Sequence, residues 1–221
     1  MTFTPLEITT GLLLDLSTDA YPTQIFGWNC AALSLPDGAT YYGMVTEGEA
    51  LLCDARGDFR LQAGMFFVCP SACMVEGAAG RGLVIARTGY QGLWQLGGPL
   101  EATGRLEYID GCTDTLLACP PRLGDPCLNH LHIPPHTNQS PHTHPSERIG
   151  VILHGRGECR TPEGVFPLQP GMGWRIPTGC LHSFYTQGEC LDVIAWHPDS
   201  DFGPTDENHP MRNKTLLASG G

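Results

Sequence analysis

The chain has 221 residues, of which 41% are hydrophobic and only 16% are charged, and it contains 28 Gly and 19 Pro. Few charges and many turn-forming residues favour an all-β protein, and the length suffices for one large domain or two small ones. The net charge of -11 argues against nucleic acid and against an anionic membrane surface as partners.

The N-terminal segment lacks the features of a signal peptide. It has no basic start, and its apolar run at residues 12–14 is too short. No segment reaches the length of a membrane span, so we expect a cytoplasmic protein. The ten Cys residues form no CxxC pair, which in a reducing compartment is typical of small buried side chains rather than of a structural zinc site.

Short apolar stretches follow one another along the chain, for example at residues 31–35, 65–68, 151–153 and 191–196. Turn signals such as the Pro-Asp-Gly run at residues 36–38 separate them. This alternation is typical of a β-sandwich or a β-barrel, and no long amphipathic helix is predicted.

Two segments resemble each other, residues 57–70 and residues 163–177. Each runs from Gly through an aromatic residue and Leu-Gln to Gly-Met, and then continues as a short strand that ends at Pro. The copies lie about half the chain apart, which indicates an internal repeat of domain size. The predicted domains are two related β-barrels, residues 1–110 and residues 111–221, the second with a polar C-terminal tail.

Three histidines in the second half have the spacing of a metal site. His142 and His144 are two residues apart, so on a strand both side chains project to the same face. His182 follows a Pro-Thr-Gly turn, at the start of the next predicted strand. Neutral imidazoles suit Fe(II), Zn(II), Ni(II) and Cu(II), so the pattern predicts one divalent metal ion.

These residues resemble the cupin family, whose first motif is G-x5-HxH-x3/4-E-x6-G and whose second is G-x5-PxG-x2-H-x3-N. Residues 126–198 follow the family well, and residues 25–95 follow it only as a degenerate copy without the histidines. The resemblance implies two cupin barrels (double-stranded β-helix, or jelly-roll) in one chain, with the metal in the C-terminal barrel only. The first motif is matched at His142, His144 and Gly155, with His136 in place of its opening Gly, and the second at Gly171, Pro177, Gly179 and His182, with Thr186 in place of its Asn.

The glutamate of the first motif falls on Arg148, and Glu147 lies one residue earlier. Strand alternation places Arg148 on the face of His142 and His144, and Glu147 on the opposite face. Since a guanidinium cannot ligate a metal, we expect a three-His site with open positions, unless a one-residue bulge brings Glu147 in. A substrate carboxylate or an acidic side chain would then pair with Arg148.

Five further side chains are candidates for the substrate pocket. His130 and His132 alternate with apolar residues on the strand before the site, so one of them is expected to line the pocket. Cavities in small barrels are mostly apolar, so one or two nearby aromatic residues are expected there too. These aromatic candidates are Trp174, Phe184 and Tyr185. The remaining histidines, expected at the surface or in structural roles, are His136, His154, His197 and His209.

Three functions remain open. The resemblance implies an Fe(II)-dependent oxygenase of a small polar or acidic metabolite, because cupins with three-His iron sites are often dioxygenases. A non-redox metalloenzyme with zinc or manganese, acting as an isomerase, a lyase or an N–N bond-forming enzyme of secondary metabolism, is the first alternative. A non-catalytic ligand-binding module is the second. The expected partner is a small-molecule substrate, and cupins commonly form homodimers through edge strands.

Overall fold

The computed structural model describes residues 2–200 together with Thr205 and Glu207. Within these residues the chain forms 18 β-strands and one three-residue 3₁₀ helix, so the all-β prediction is confirmed. No helix in this described part has the length and the hydrophobicity to cross a bilayer. The predicted polar tail beyond residue 200 falls almost entirely outside the described residues, as does His209.

The strand bounds follow the chain in two groups, separated by the region around residue 100. The first group is β1 (Thr4–Leu6), β2 (Gly11–Leu16), β3 (Thr23–Asn29), β4 (Ala32–Leu35), β5 (Ala39–Asp54), β6 (Gly57–Gln62), β7 (Phe66–Cys69), β8 (Cys73–Thr88) and β9 (Gln95–Gly97). The second group is β10 (Leu106–Glu107), the 3₁₀ helix (Ile109–Gly111), β11 (Thr113–Ala118), β12 (Cys127–Ile133), β13 (Arg148–Gly155), β14 (Gly157–Thr161), β15 (Gly164–Leu168), β16 (Gly173–Ile176), β17 (Ser183–Tyr185) and β18 (Leu191–His197).

These strands form three antiparallel sheets. One sheet of eight strands has the order β2-β3-β8-β5-β7-β9, with β4 paired to β8 and β6 paired to β5. A sheet of seven strands has the order β1-β16-β13-β18-β12-β11-β10, and a smaller sheet has the order β15-β14-β17. Strands β1 and β10 precede the predicted boundary at residues 110 and 111, yet both pair with strands of the second half. The division into two barrels stays a prediction, and strand pairing crosses its boundary twice.

The repeat in the sequence corresponds to a repeat in local structure. Gly64 and Gly171 both occupy the left-handed region, with φ of 82° and 78°, which favours glycine. The amide of Gly64 donates to the carbonyl of Val45 over 2.9 Å, and the amide of Gly171 donates to the carbonyl of Ile152 over 2.8 Å. The same turn therefore connects β6 to β7 and β15 to β16.

Buried apolar side chains form three clusters. One cluster lies within the first half, and another lies within the second half, between the seven-stranded and three-stranded sheets. The third joins the halves, and in it the rings of Tyr42 and Trp196 lie 5.8 Å apart. Alternation along β13 sends Ile149 to this joining cluster and Ile152 to the cluster inside the second half. The inner face of the seven-stranded sheet therefore forms one wall of the interior that holds the predicted site.

Candidate metal centre

The three predicted ligands, His142, His144 and His182, converge inside the second half. Their ring centroids lie 4.5 to 5.1 Å apart, and one nitrogen from each lies within 4.8 Å of the others. His142 and His182 exchange two backbone hydrogen bonds of 2.9 and 3.0 Å, which align the two segments. The prediction that His142 and His144 lie on a regular strand is wrong, since His142 makes only an isolated bridge.

A Pro-Thr-Gly turn holds the third histidine in place. Gly179 occupies the left-handed region with φ of 69°, and its amide donates to the carbonyl of His144 over 3.0 Å. Cys180 closes the turn with a hydrogen bond to the carbonyl of Pro177. The turn thus holds the backbone of His144 by a hydrogen bond and places His182 directly before β17.

Hydrogen bonds fix the imidazole tautomers of two ligands. Nδ1 of His142 donates to the carbonyl of Ser140 over 2.8 Å, and Nδ1 of His182 donates to the carbonyl of Cys180 over 2.9 Å. A carbonyl only accepts, so Nδ1 carries the proton and the lone pair of Nε2 is left for a metal. Backbone partners of this kind orient histidine ligands in metalloproteins.

Burial also keeps two of the rings neutral. Desolvation, followed by the charge of Arg148, lowers the pKa of His144 to about 3. Desolvation likewise lowers the pKa of His182 to about 4, although its hydrogen bond to Cys180 opposes the shift. Neutral imidazoles are the form that binds metals, so the donor set fits a divalent transition-metal ion with three nitrogen ligands.

Arg148 and Glu147 point in different directions. Arg148, the first residue of β13, is half-buried and lines the same cavity as the three histidines. Its guanidinium donates to Oγ of Ser146 over 2.7 Å. Glu147 is only 4% exposed, and its carboxylate accepts a hydrogen bond of 2.8 Å from Nε of Arg175. No bulge turns Glu147 inward, so its carboxylate does not lie at the candidate metal centre.

The cavity beside the histidines has a volume of about 410 Å³. Its surface is mostly apolar, and its lining includes the exposed Leu106 and Tyr108 from the region before β11. That region carries no functional signal in the amino-acid sequence. The lining residues besides the three histidines and Arg148 are Leu106, Glu107, Tyr108, Asp114, Leu116, Cys127, Asn129, Leu131, Trp174, Ile176, Phe184, Val193, Ala195 and His197.

Two of the five predicted pocket residues, Trp174 and Phe184, line this cavity. Tyr185 does not, because alternation along β17 turns it outward, where the guanidinium of Arg160 lies 3.8 Å from its ring centre. His130 and His132 do not line it either. They occupy the outer face of β12, and their neighbours Cys127, Asn129 and Leu131 occupy the face toward the cavity. The odd-numbered residues of β12 thus face the cavity, whereas the prediction required His130 or His132 to face it.

The two outward histidines share one carboxylate. Nε2 of His130 and Nδ1 of His132 lie 2.9 and 2.8 Å from Oδ1 of Asp192 on the neighbouring β18. Burial raises the pKa of the Asp192 carboxyl, but hydrogen bonds from both histidines outweigh it, so this pKa lies below its ordinary value. Asp192 is therefore ionised and accepts from both rings.

Three polar cavity residues were missed at the sequence level. Cys127 and His197 face each other across β12 and β18, with Sγ 2.7 Å from Nε2, and Nδ1 of His197 donates to the carbonyl of Asp199. Asp114 on β11 accepts a hydrogen bond of 2.6 Å from Asn129, and burial raises the pKa of its carboxyl. The sequence signal for Cys127 is its position on β12, an even number of residues before Leu131, because strand alternation places both side chains on the same face.

Comparison with known proteins identifies a domain in the second half of the chain. Residues 129–194 match a family model described as a cupin domain. No curated protein matches the chain. Among solved structures, the protein Ylba of E. coli is similar over 92% of this chain and 93% of its own, with 18% identity and a TM-score of 0.64.

Two similar structures are named as enzymes. Salicylate 1,2-dioxygenase of Pseudaminobacter salicylatoxidans is similar over 85% of this chain and 75% of its own, with 11% identity and a TM-score of 0.61. Oxalate decarboxylase of Bacillus subtilis, which has Mn(II) centres, is similar over 92% of this chain and 78% of its own, with 10% identity and a TM-score of 0.55. At such identities the likeness is one of fold. Residues 129–194 thus form a cupin domain, and the chain as a whole shares the fold of these similar structures.

Proposed function

We propose that the chain is a metal-dependent enzyme that binds a small acidic metabolite at His142, His144 and His182, and that it is an Fe(II)-dependent oxygenase. The observation that carries this proposal is the position of Arg148. Its side chain lines the same cavity as the three histidines, whereas the carboxylate of Glu147 is bound to Arg175 outside that cavity.

The charges in the cavity favour an anionic substrate. Three neutral imidazoles leave the double positive charge of a bound metal uncompensated, and Arg148 adds a further positive charge. A carboxylate that bridges the metal and the guanidinium would balance both, and guanidinium groups suit bidentate binding of carboxylates. The lining also holds two carboxyl groups, the exposed Glu107 and Asp114, whose pKa is raised by burial.

Each part of the cavity has a role in this scheme. When Fe(II) is bound, it supplies the redox chemistry with O2 and open positions for substrate oxygens. Arg148 binds the substrate carboxylate, and the buried rings of Trp174 and Phe184 exclude water from the reacting part of the substrate. A cavity of about 410 Å³ has the size of a small-molecule site. The similarity of fold to salicylate 1,2-dioxygenase supports an acidic substrate.

The test loads metal-free protein with Fe(II) under anaerobic conditions and follows O2 uptake with a panel of small aliphatic and aromatic carboxylic acids. Iron-dependent uptake with at least one acid is expected, and it should be lost in the His182→Ala variant. Full iron occupancy without O2 uptake for any acid, or uptake that persists in His182→Ala, would overturn the oxygenase proposal.

A non-redox metalloenzyme is the second candidate, and Asp114 is the observation that favours it. Asp114 lines the cavity, and its raised pKa brings the carboxyl closer to neutral pH, where it can exchange a proton with a substrate. In this candidate zinc, manganese or nickel would polarise the substrate while Asp114 moves a proton. If the manganese-loaded protein converts an acid without O2, and the Asp114→Asn variant does not, the non-redox enzyme is favoured. Binding without turnover would indicate a ligand-binding module.

A further inference from the structure

The outer face of the seven-stranded sheet carries a second cluster of metal-binding side chains. Strand pairing places His132 of β12 opposite Asp192 of β18, and Asp192 opposite His154 of β13. Cys190 lies just before β18. Three neighbouring strands therefore bring imidazole, carboxylate and thiol groups to one place, on the side of the sheet that faces away from the cavity.

The distances within this outer cluster suit a metal ion. Nδ1 of His132 lies 2.8 Å from Oδ1 of Asp192, and Sγ of Cys190 lies 4.0 Å from Oδ2. One donor atom from each of the three residues lies within 4.8 Å of the others. Tetrahedral zinc sites with bonds of 2.0 to 2.3 Å hold their donor atoms about 3.3–3.8 Å apart. To complete the site the thiol would move closer, the contact between His132 and Asp192 would open, and Nδ1 of His132 would release its proton as the metal binds.

Two more histidines complete the surroundings of the outer cluster. His130 is 2% exposed and donates to Oδ1 of Asp192, so it orients the carboxylate as outer partners do in metal sites. The exposed His154 lies 3.9 Å from Oδ2, on the side of Cys190. Asp192 thus has one oxygen held by the histidines of β12 and the other near a thiol and an exposed imidazole.

We propose that His132, Cys190 and Asp192 bind a divalent transition-metal ion of the zinc type, with His154 as a fourth ligand. Nitrogen, sulfur and carboxylate oxygen are the donors that zinc takes in proteins. The outer cluster differs from the three-His centre in its thiol, and it lies on the opposite face of the same sheet. Its metal joins β12, β13 and β18 and therefore stabilises the sheet that carries the inner site.

The test uses Co2+ as a spectroscopic probe on the metal-free full-length chain. Cobalt bound by a thiolate gives a charge-transfer band in the near ultraviolet, and cobalt bound by three imidazoles does not. We expect two Co2+ per chain and a saturable thiolate band in the wild type. In Cys190→Ser the band should disappear, and the stoichiometry should fall to one.

Three control variants separate the two centres. The double variant His142→Ala, His182→Ala should lose the inner site yet keep the thiolate band. Cys127→Ser, which alters the buried thiol beside the inner site, should also keep it. Asp192→Asn should weaken the outer site at least about tenfold, since even the loss of an outer partner of a ligand has an effect of that size. A wild-type protein without the band, or a band that Cys127→Ser removes and Cys190→Ser retains, would overturn the proposal.

Discussion

The two halves of the molecule share a framework and differ in what fills it. Tyr41 pairs with Cys69 in the first half, and Arg148 pairs with Ile176 in the second, at positions 107 residues further along the chain. Both long strands carry a register shift at corresponding places, between Val45 and Glu47 on β5 and between Ile152 and His154 on β13. The same pairing, turn and bulge thus recur in both halves.

Within this framework the metal-binding positions of one half are apolar in the other. Leu33 pairs with Val75 in the first half, where His142 forms a bridge with His182 in the second. Leu33 and Val75 belong to the apolar cluster of the first half, and Val75 is fully buried. The framework therefore accepts either a packed interior or a cavity with metal ligands, and a few side chains decide between them.

The position next to the ligands differs in the same way. Tyr41 is buried in the first half, its hydroxyl donates to the carbonyl of Pro36, and burial raises its pKa to about 12. At the corresponding position of the second half, Arg148 brings a positive charge into the cavity. Both inward groups hydrogen-bond to nearby backbone, the hydroxyl of Tyr41 to Pro36 and the guanidinium of Arg148 to Ser146 and Glu147, but only the second carries a charge.

The most direct way to remove the difference is the variant His182→Val, which gives the second half the residue found at position 75. We expect metal affinity to fall at least about 10³-fold, or about 4 kcal/mol, because a buried ligand is lost and an apolar side chain takes its place. The fold should persist, since the interior of each half is a separate apolar cluster. Metal content by elemental analysis and thermal unfolding measure the two effects.

The matched control is His136→Asn, at an exposed histidine whose φ of 63° an asparagine tolerates. Its metal content should equal that of the wild type. Unchanged metal stoichiometry in His182→Val would contradict the assignment of His182 as a ligand, whatever the control gives.

The reverse exchange, Val75→His, should destabilise the first half without creating a metal site. Val75 is fully buried among apolar side chains, so an imidazole there would have no hydrogen-bond partner. We expect the free energy of unfolding to fall by about 2–4 kcal/mol, as measured by chemical denaturation at neutral pH. A stability equal to that of the wild type, or additional bound metal, would show that the apolar interior does not distinguish the halves.

Arg148→Ala tests whether the charge in the second half serves a substrate. We expect retained metal and a KM for the acidic substrate that rises about 10- to 100-fold, since a charged hydrogen bond contributes about 1.5–3 kcal/mol. Arg148→Lys should recover only part of this, because an ammonium group cannot form the bidentate contact. Loss of the metal itself in Arg148→Ala would instead mean that the guanidinium holds the ligand shell together.

Motif spacing identified the three histidines because turn chemistry and ligand chemistry both leave strong local signals. Arg148 and Glu147 lie on opposite sides as predicted, although the alternation was counted from His142 and His144, which lie outside a regular strand. The same rule could not decide whether His130 and His132 line the cavity, since nothing in the sequence indicates which face of β12 borders it. Their partner Asp192 lies about 60 residues further along the chain, and such long-range pairing leaves no local signal.

The smallest expected effect concerns Glu147, which corresponds to the fully buried Thr40 of the first half. Glu147 contacts Arg175, yet burial outweighs this contact and raises the pKa of the carboxyl above 4.5. The neutral variant Glu147→Gln should therefore change the free energy of unfolding by only about 1 kcal/mol at neutral pH, because Arg175 keeps its contact with Asp19 and the cost of burying the Glu147 charge is removed together with the ion pair. Metal content should not change.

The pH dependence of that difference has a definite sign. A carboxyl whose pKa is higher in the folded state than in the unfolded state binds more protons when folded, so its contribution to stability falls as pH rises from about 4.5 through the folded value. The free energy of unfolding of Glu147→Gln, relative to the wild type, should thus rise over that range. A relative stability that falls instead would mean that the ion pair with Arg175 dominates, and loss of metal would return Glu147 to the ligand shell. Of the two results, only the loss of metal would remove the contrast between Glu147 and Arg148 on which the comparison of the two halves depends.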